Sequence, residues 1–335
     1  MKHYNIPIFV PHKGCPNDCV FCNQKRITGT LTDVTVQDIY NTIEECLKTL
    51  PKNDRIIEVA FFGGSFTGID FDMQGLFLST VHKFIQSGMI DGIRLSTRPD
   101  YIDEKILEQL KKYGVTTIEL GVQSLDEDVL KASNRGHTAI DVYNSVKLIN
   151  QYDFSLGLQM MTGLPGDSEQ KSIETARKII SLKPDFVRIY PTLVLKDTKL
   201  EEMYENGDYS PQEIDKAVSL CKELLLLFRA AKIPVIRIAL QTTDEISPNG
   251  SLVAGPFNAQ FRELVEAEIY FDKFKTALNS EYSENTVISV NPKELSKAIG
   301  ANKSNINKLS KMYNINLKII GDNKITPGDF CIINN

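Results

Sequence analysis

The sequence predicts an α/β protein: an open partial (β/α)6 barrel with a small α+β module at its C-terminal end. Three observations carry this. Short β-rich apolar runs alternate with amphipathic stretches six times, polar residues recur where each run ends, and the charge balance changes sign near residue 286. Such alternation builds a parallel sheet with helices outside, joined by right-handed crossovers. Six units can curl into a three-quarter barrel whose chemistry gathers at the C-terminal strand ends. An open doubly wound sheet is the second architecture the same pattern allows.

The strands are expected at Asn5–Val10, Ile56–Phe62, Ile93–Thr97, Thr116–Val122, Ser155–Met160 and Phe186–Tyr190. Between them, Val36–Leu50, Gln74–Ser87, Asp103–Tyr113, Ala139–Gln151 and Ser168–Ser181 place apolar residues at helical spacing. A further helix (Pro211–Ala231) and strand (Pro234–Ala239) follow, then a turn-rich loop (Thr242–Pro256) and a helix (Ala259–Leu278). The polar stretch Asn279–Asn285 reads as a linker, and Val287–Ile320 as strand, helix, helix, strand. The expected organisation is therefore a core over 1–245, an extension and linker over 246–285, and a basic module over 286–335.

Net charge is −5, which argues against a basic surface along the whole chain. Residues 287–335 nevertheless hold seven lysines and three acids, a local +4, leaving −9 on the remainder. A basic module on an acidic body points to an anionic partner; a solvated lysine-rich face is the plainer alternative. No apolar run approaches the roughly 20 residues of a membrane span, and the N-terminus lacks the order of a secretion signal. No membrane association and a cytoplasmic location are expected.

Of six cysteines, Cys46 and Cys221 fall inside helical patterns and read as reduced core thiols, and Cys331 stands alone. Cys15, Cys19 and Cys22 cluster just after the first strand, spaced Cys-x3-Cys-x2-Cys. Three thiolates on one loop can hold three irons of a cubane cluster and leave the fourth open to an outside ligand. Zinc is the alternative, with His12 as a fourth ligand. Phe21, just before Cys22, would cover the metal and exclude water.

This spacing, with an aromatic before the last cysteine, resembles the signature of the radical S-adenosylmethionine superfamily. The resemblance implies a [4Fe–4S] cluster on Cys15, Cys19 and Cys22, with S-adenosyl-L-methionine on the open iron. It implies reductive cleavage of that cofactor to a 5′-deoxyadenosyl radical, and an electron donor of flavodoxin or ferredoxin type. Phe61-Phe62-Gly63-Gly64-Ser65-Phe66 resembles the superfamily's Gly-Gly-Glu-type motif with Ser65 in place of the acid, so backbone carbonyls would make the contact. Gly-Gly after a strand is otherwise only a turn. Carried over by position, Phe21, Gly63, Gly64, Ser65, Ser96, Arg98, Gln123, Arg135 and Gln159 are the candidate S-adenosylmethionine contacts. Arg135 would pair with the methionine carboxylate, and Gln159 stands where relatives often carry an acid or a histidine.

The strings Phe61–Thr67, Ser96–Asp100, Glu119–Ser124, Asn134–Thr138 and Arg188–Val194 together resemble the radical domain of the Elongator catalytic subunit, over roughly residues 4–270. They resemble the oxygen-independent coproporphyrinogen dehydrogenases less. The Elongator resemblance implies a tRNA uridine as substrate class. Ala298-Ile299-Gly300-Ala301-Asn302-Lys303 between two short helices is similar to a KH-type motif, whose Gly-x-x-Gly loop clamps RNA; Lys303 replaces the second glycine. It implies RNA contacts from Lys297, Lys303, Lys308 and Lys311, or else a decayed motif kept as a structural cap. A radical enzyme on a small molecule, and an iron–sulfur or zinc RNA-binding protein without catalysis, are the alternatives.

Overall fold

The computed structural model describes residues 2–10, 19–23, 34–280 and 282–334. The chain divides into two compact units, residues 1–212 with 227–256, and residues 213–226 with 257–335.

The first unit holds strands β1 (Lys2–Val10), β2 (Arg55–Gly63), β3 (Gly92–Thr97), β4 (Val115–Gln123), β5 (Ser155–Thr162) and β6 (Phe186–Pro191), the short β7 (Val194–Leu195), and β8 (Val235–Ile238). All but β7 form one parallel sheet in the order β1-β2-β3-β4-β5-β6-β8. The order is sequential with no reversal, which excludes a doubly wound sheet, because that architecture turns back at a switch point. The strand expected near Pro234–Ala239 joins the sheet as its seventh member. β7 pairs instead with β9 (Leu252–Ala254), antiparallel.

Between the strands run α1 (Val36–Thr49), α2 (Phe71–Gln86), α3 (Glu104–Lys112), the short α4 (Glu127–Ala132), α5 (Ala139–Ile149) and α6 (Glu169–Ser181), followed by α7 (Lys199–Glu205) and α8 (Ile214–Ala230). Their starts are fixed locally. Thr35 with Asp38, and Thr138 with Asp141, form reciprocal caps on α1 and α5, while Asp103 and Ser168 cap α3 and α6. Side chains alternate across the sheet. One face carries Ile57, Val59, Phe61, Ile93, Leu95, Ile118, Leu120, Leu156, Leu158, Val187 and Ile189, all buried. The other face carries Glu58, Arg94, Glu119, Gln159 and Arg188. The apolar face supplies the core, so the polar face is where chemistry must sit.

The second unit contains residues 214–226 of α8, α9 (Phe261–Leu278), β10 (Asn285–Val290), α10 (Leu295–Ile299), α11 (Ser304–Tyr313), β11 (Asn316–Gly321) and β12 (Phe330–Asn334). β10 is central, parallel to β11 and antiparallel to β12. The sequence reading did not include β12. Tyr270, Phe274 and Leu278 of α9 share one apolar core with Ile288, Val290, Ala298, Leu309, Leu317 and Ile319. Cys221 on α8 is fully buried, and burial pushes its thiol up to about 12, while Cys46 is half-buried and also raised by burial. Cys221 is the core thiol expected, whereas Cys46 lies at the edge of the core and not within it. Among the described residues, no helix is long and apolar enough to cross a membrane.

Candidate active site

The site forms where β2, β3 and β4 end. Cys19 is 4% exposed and Cys22 half-buried, on one tight turn closed by the Cys22 N–H on the Cys19 carbonyl at 2.9 Å. Cys15 lies outside the described residues. The turn is anchored twice: Val20 N–H donates to Ser133 O (3.1 Å), and Leu200 N–H donates to Val20 O (2.7 Å). Val20 packs on Val194, Leu200 and Tyr209, and Phe21 lies against this same cluster.

Gly63 adopts φ 108°, a conformation that favours glycine, and Gly64 N–H donates to Val10 O at 3.0 Å. The buried Ser65 hydroxyl pairs with Thr97 Oγ1 (2.8 Å) and accepts from Arg98 N–H (3.2 Å). Ser65 thus ties the end of β2 to the end of β3. Arg98 gives Nε and Nη2 to Asp100 at 2.9 and 2.8 Å. The Ser96 hydroxyl is buried without a partner.

The β4–β5 register shifts between Gly121 and Gln123, and Gln123 has φ 65°. Bulges of this kind recur beside active sites because they re-aim a side chain. Gln123 Oε1 is buried without a partner. Buried Arg135, on the loop after α4, donates Nη1 to Cys19 Sγ (3.4 Å) and Nη2 to Gly121 O (2.7 Å), while its Nε has no partner. His137 packs on the same strand end, Nε2 3.3 Å from Val122 O. Burial, then Arg135 and Arg98, lower its pKa to about 3, so the ring is neutral.

Below these groups lies a charge network the sequence reading did not assemble. Arg94 donates Nε to Glu58 (3.0 Å) and Nη1 to Glu119 (2.9 Å), and Arg188 donates Nη2 to Glu119 (2.9 Å). Gln159 Nε2 reaches the same carboxylate at 3.1 Å. Burial alone would push the Glu58 carboxyl up; Thr116, Arg94 and Thr117 outweigh it and hold it below the usual carboxylate range. The signal in the sequence was charge at period-two positions of otherwise apolar strands.

The structure therefore brings Cys19, Cys22, Arg135 and Gln123 to one mouth, with Ser96 on the same sheet face. Ser65, Arg98 and Gln159 are engaged with protein partners, and Phe21 is engaged by packing. A soft-donor turn with a cationic hydrogen-bond donor on one sulfur suits a thiolate-bound cluster. Gln123 Oε1 and Arg135 Nε beside it, and Ser96 Oγ near the end of β3, are buried without partners and suit a polar ligand, since buried polar atoms usually find partners. The residues fit both groups.

Residues 9–179 match the model of the radical SAM superfamily, and 184–270 that of a radical SAM C-terminal domain. The chain belongs to the radical SAM superfamily, enzymes that use a [4Fe–4S] cluster and S-adenosylmethionine and need a reductant. It is 30% identical to the tRNA uridine(34) acetyltransferase of Methanocaldococcus jannaschii over 255 residues, 64% of this chain and 47% of that protein. It is 31% identical to Elongator complex protein 3 of Saccharomyces cerevisiae over 247 residues, 67% of this chain and 43% of that one. The chain thus spans under half the length of these two relatives. Its fold resembles that of Methanocaldococcus infernus Elp3 (TM-score 0.65, 23% identity, 82% of this chain and 64% of that one). It also resembles Streptococcus suis SuiB bound to S-adenosylmethionine (TM-score 0.51, 14% identity, 73% and 49%).

Proposed function

We propose that this chain holds a [4Fe–4S] cluster on Cys15, Cys19 and Cys22, cleaves S-adenosylmethionine reductively, and acts on an RNA substrate, a tRNA nucleoside. The observation that carries the cofactor site is the pair of orphaned atoms on Gln123 and Arg135 beside the buried cysteine turn, with the orphaned Ser96 hydroxyl near the end of β3. When bound, the two cofactors supply a 5′-deoxyadenosyl radical that takes a hydrogen atom from substrate. The protein's own part is positional. Gly63 and Gly64 let the backbone come close, Ser96 and Gln123 offer polar contacts, and Phe21 with the Val20 cluster keeps water from the turn. Arg98, Ser65 and Gln159 hold these contacts in place through Asp100, Thr97 and Glu119.

The RNA part rests on the likeness to tRNA-modifying relatives and on the second unit. Gly300, Asn302 and Lys303 all have positive φ, at 74°, 52° and 59°. The turn sets an exposed lysine at the start of α11. A lysine in a conformation glycine prefers is strain, which clusters where function requires it. We take this loop, with Lys311, as a phosphate contact in the manner of a KH motif. A flavodoxin- or ferredoxin-type donor and a cytoplasmic location complete the reading.

The test is anaerobic reconstitution of the intact chain. It should bind about four irons and release 5′-deoxyadenosine under dithionite, and Cys19→Ala should lose both. A full cluster without cleavage would overturn the enzymatic reading. Retention of tRNA unchanged by Lys303→Glu with Lys311→Glu would overturn the RNA contact.

A further inference from the structure

Arg135 does more in this structure than offer a cation to a cofactor. Its side chain is nine-tenths buried, and both terminal nitrogens are engaged: Nη1 on Cys19 Sγ at 3.4 Å and Nη2 on Gly121 O at 2.7 Å. The backbone of the same loop reinforces the contact, since Ser133 O accepts from Val20 N–H next to that cysteine. Opposite, Gly121 leaves no spare room: a Cβ there would lie 2.8 Å from Arg135 Nη2 and 2.9 Å from Gln123 Nε2. The guanidinium is thus pinned between a strand carbonyl and one sulfur of the cysteine turn. Of its three nitrogens, only Nε is left without a partner.

We infer that Arg135 is a positioning residue for the cluster itself: it holds the Cys19 thiolate by a charge-assisted N–H···S bond and raises the cluster's reduction potential. The inference rests on the cluster reading above. A hydrogen bond and a positive charge aimed at a ligand sulfur favour the reduced cluster, which carries one more negative charge. Charge-assisted hydrogen bonds are about twice as strong as neutral ones, and a tenfold change in the ratio of reduced to oxidised cluster corresponds to about 59 mV for one electron. The assignment differs from pairing with the methionine carboxylate, because it acts before any S-adenosylmethionine binds. The partnerless Nε remains available for that second task.

The experiment is an EPR-monitored redox titration of reconstituted protein without S-adenosylmethionine, comparing wild type, Arg135→Gln and Gly121→Ala. Arg135→Gln removes the charge; Gly121→Ala keeps the arginine and displaces it. Both should load iron and show a midpoint more negative by about tenfold in the reduced-to-oxidised ratio. If Arg135→Gln loads no iron, Gly121→Ala and Arg135→Lys carry the comparison. A midpoint equal to wild type in every variant that loads iron overturns the inference. So does an effect confined to the spectral change on adding S-adenosylmethionine, which assigns Arg135 to that cofactor alone. Wild-type protein that binds no iron fails the cluster reading instead, so the two failures are distinct.

Discussion

At the scale of single residues, the most exacting feature is Glu119, with no exposed surface, bonded by Arg94, Arg188 and Gln159. Removing one partner of a buried ion pair leaves an uncompensated charge, which costs about 3–5 kcal/mol. Glu119→Gln should therefore destabilise the first unit by that order in urea unfolding of iron-free protein; a loss under 1 kcal/mol would show that the two arginines find other partners. His137 sets a pH dependence. Its folded pKa is depressed to about 3, below the ordinary histidine value of 6.5. Between those values the unfolded chain binds the proton and the folded one does not. Stability contributed by neutral His137 is thus full above about 6.5 and declines as pH falls toward 3, by about 1.4 kcal/mol per pH unit in the middle of the range. His137→Gln should flatten that slope, read from urea midpoints at several pH values; an unchanged slope rejects a neutral buried ring. Glu58 acts lower on the scale. Its folded pKa is lowered, so its contribution is present above the usual glutamate value and is lost as pH falls through the folded one.

At the scale of elements, helix starts and strand cores were legible because their determinants are local. Thr35 and Thr138 each precede an aspartate by three residues, and the structure makes both capping boxes. The bulge that leaves Gln123 at positive φ was not legible, since it arises from how β4 and β5 register, a property of two strands. The Glu58–Arg94–Glu119–Arg188 network escaped for the same reason: the five strands β2 to β6 must lie side by side before those charges meet. The third strand of the second unit, β12, follows a turn-rich stretch, and its short apolar run Phe330-Cys331-Ile332-Ile333 shows no period-two alternation. The Gly300–Lys303 turn gives a prediction that separates strain from design. Lys303→Gly relieves a left-handed backbone and should stabilise the second unit by about 0.5–1 kcal/mol. The same change should weaken tRNA binding and lower the salt slope by about one unit. Stabilisation without loss of RNA affinity would make the lysine incidental.

For the whole molecule, the charge is divided: −9 on residues before 287 and +4 after. An acidic body repels nucleic acid except where the basic module leads, so the module should set both affinity and salt dependence. The four lysines are not equivalent. Lys297 is half-buried and lies 3.9 Å from the Glu266 carboxylate, and Lys308, though exposed, stands over the Phe271 ring at 5.6 Å; Lys303 and Lys311 are exposed. Reversing Lys303 and Lys311 together should cut tRNA affinity more than reversing Lys297 and Lys308. It should reduce the slope of log affinity against log salt by about two contacts, each worth about 0.9. 5′-Deoxyadenosine formed without RNA should stay at the wild-type level. Deleting the module would not test this. Tyr270, Phe274 and Leu278 of α9 complete the module's core, so a cut in 279–285 strips apolar surface bare and yields aggregation instead of a clean loss of binding. Filter binding across a salt series with the intact charge-reversed chain is the informative measurement. Equal losses from the two lysine pairs would mean that RNA approaches by another face.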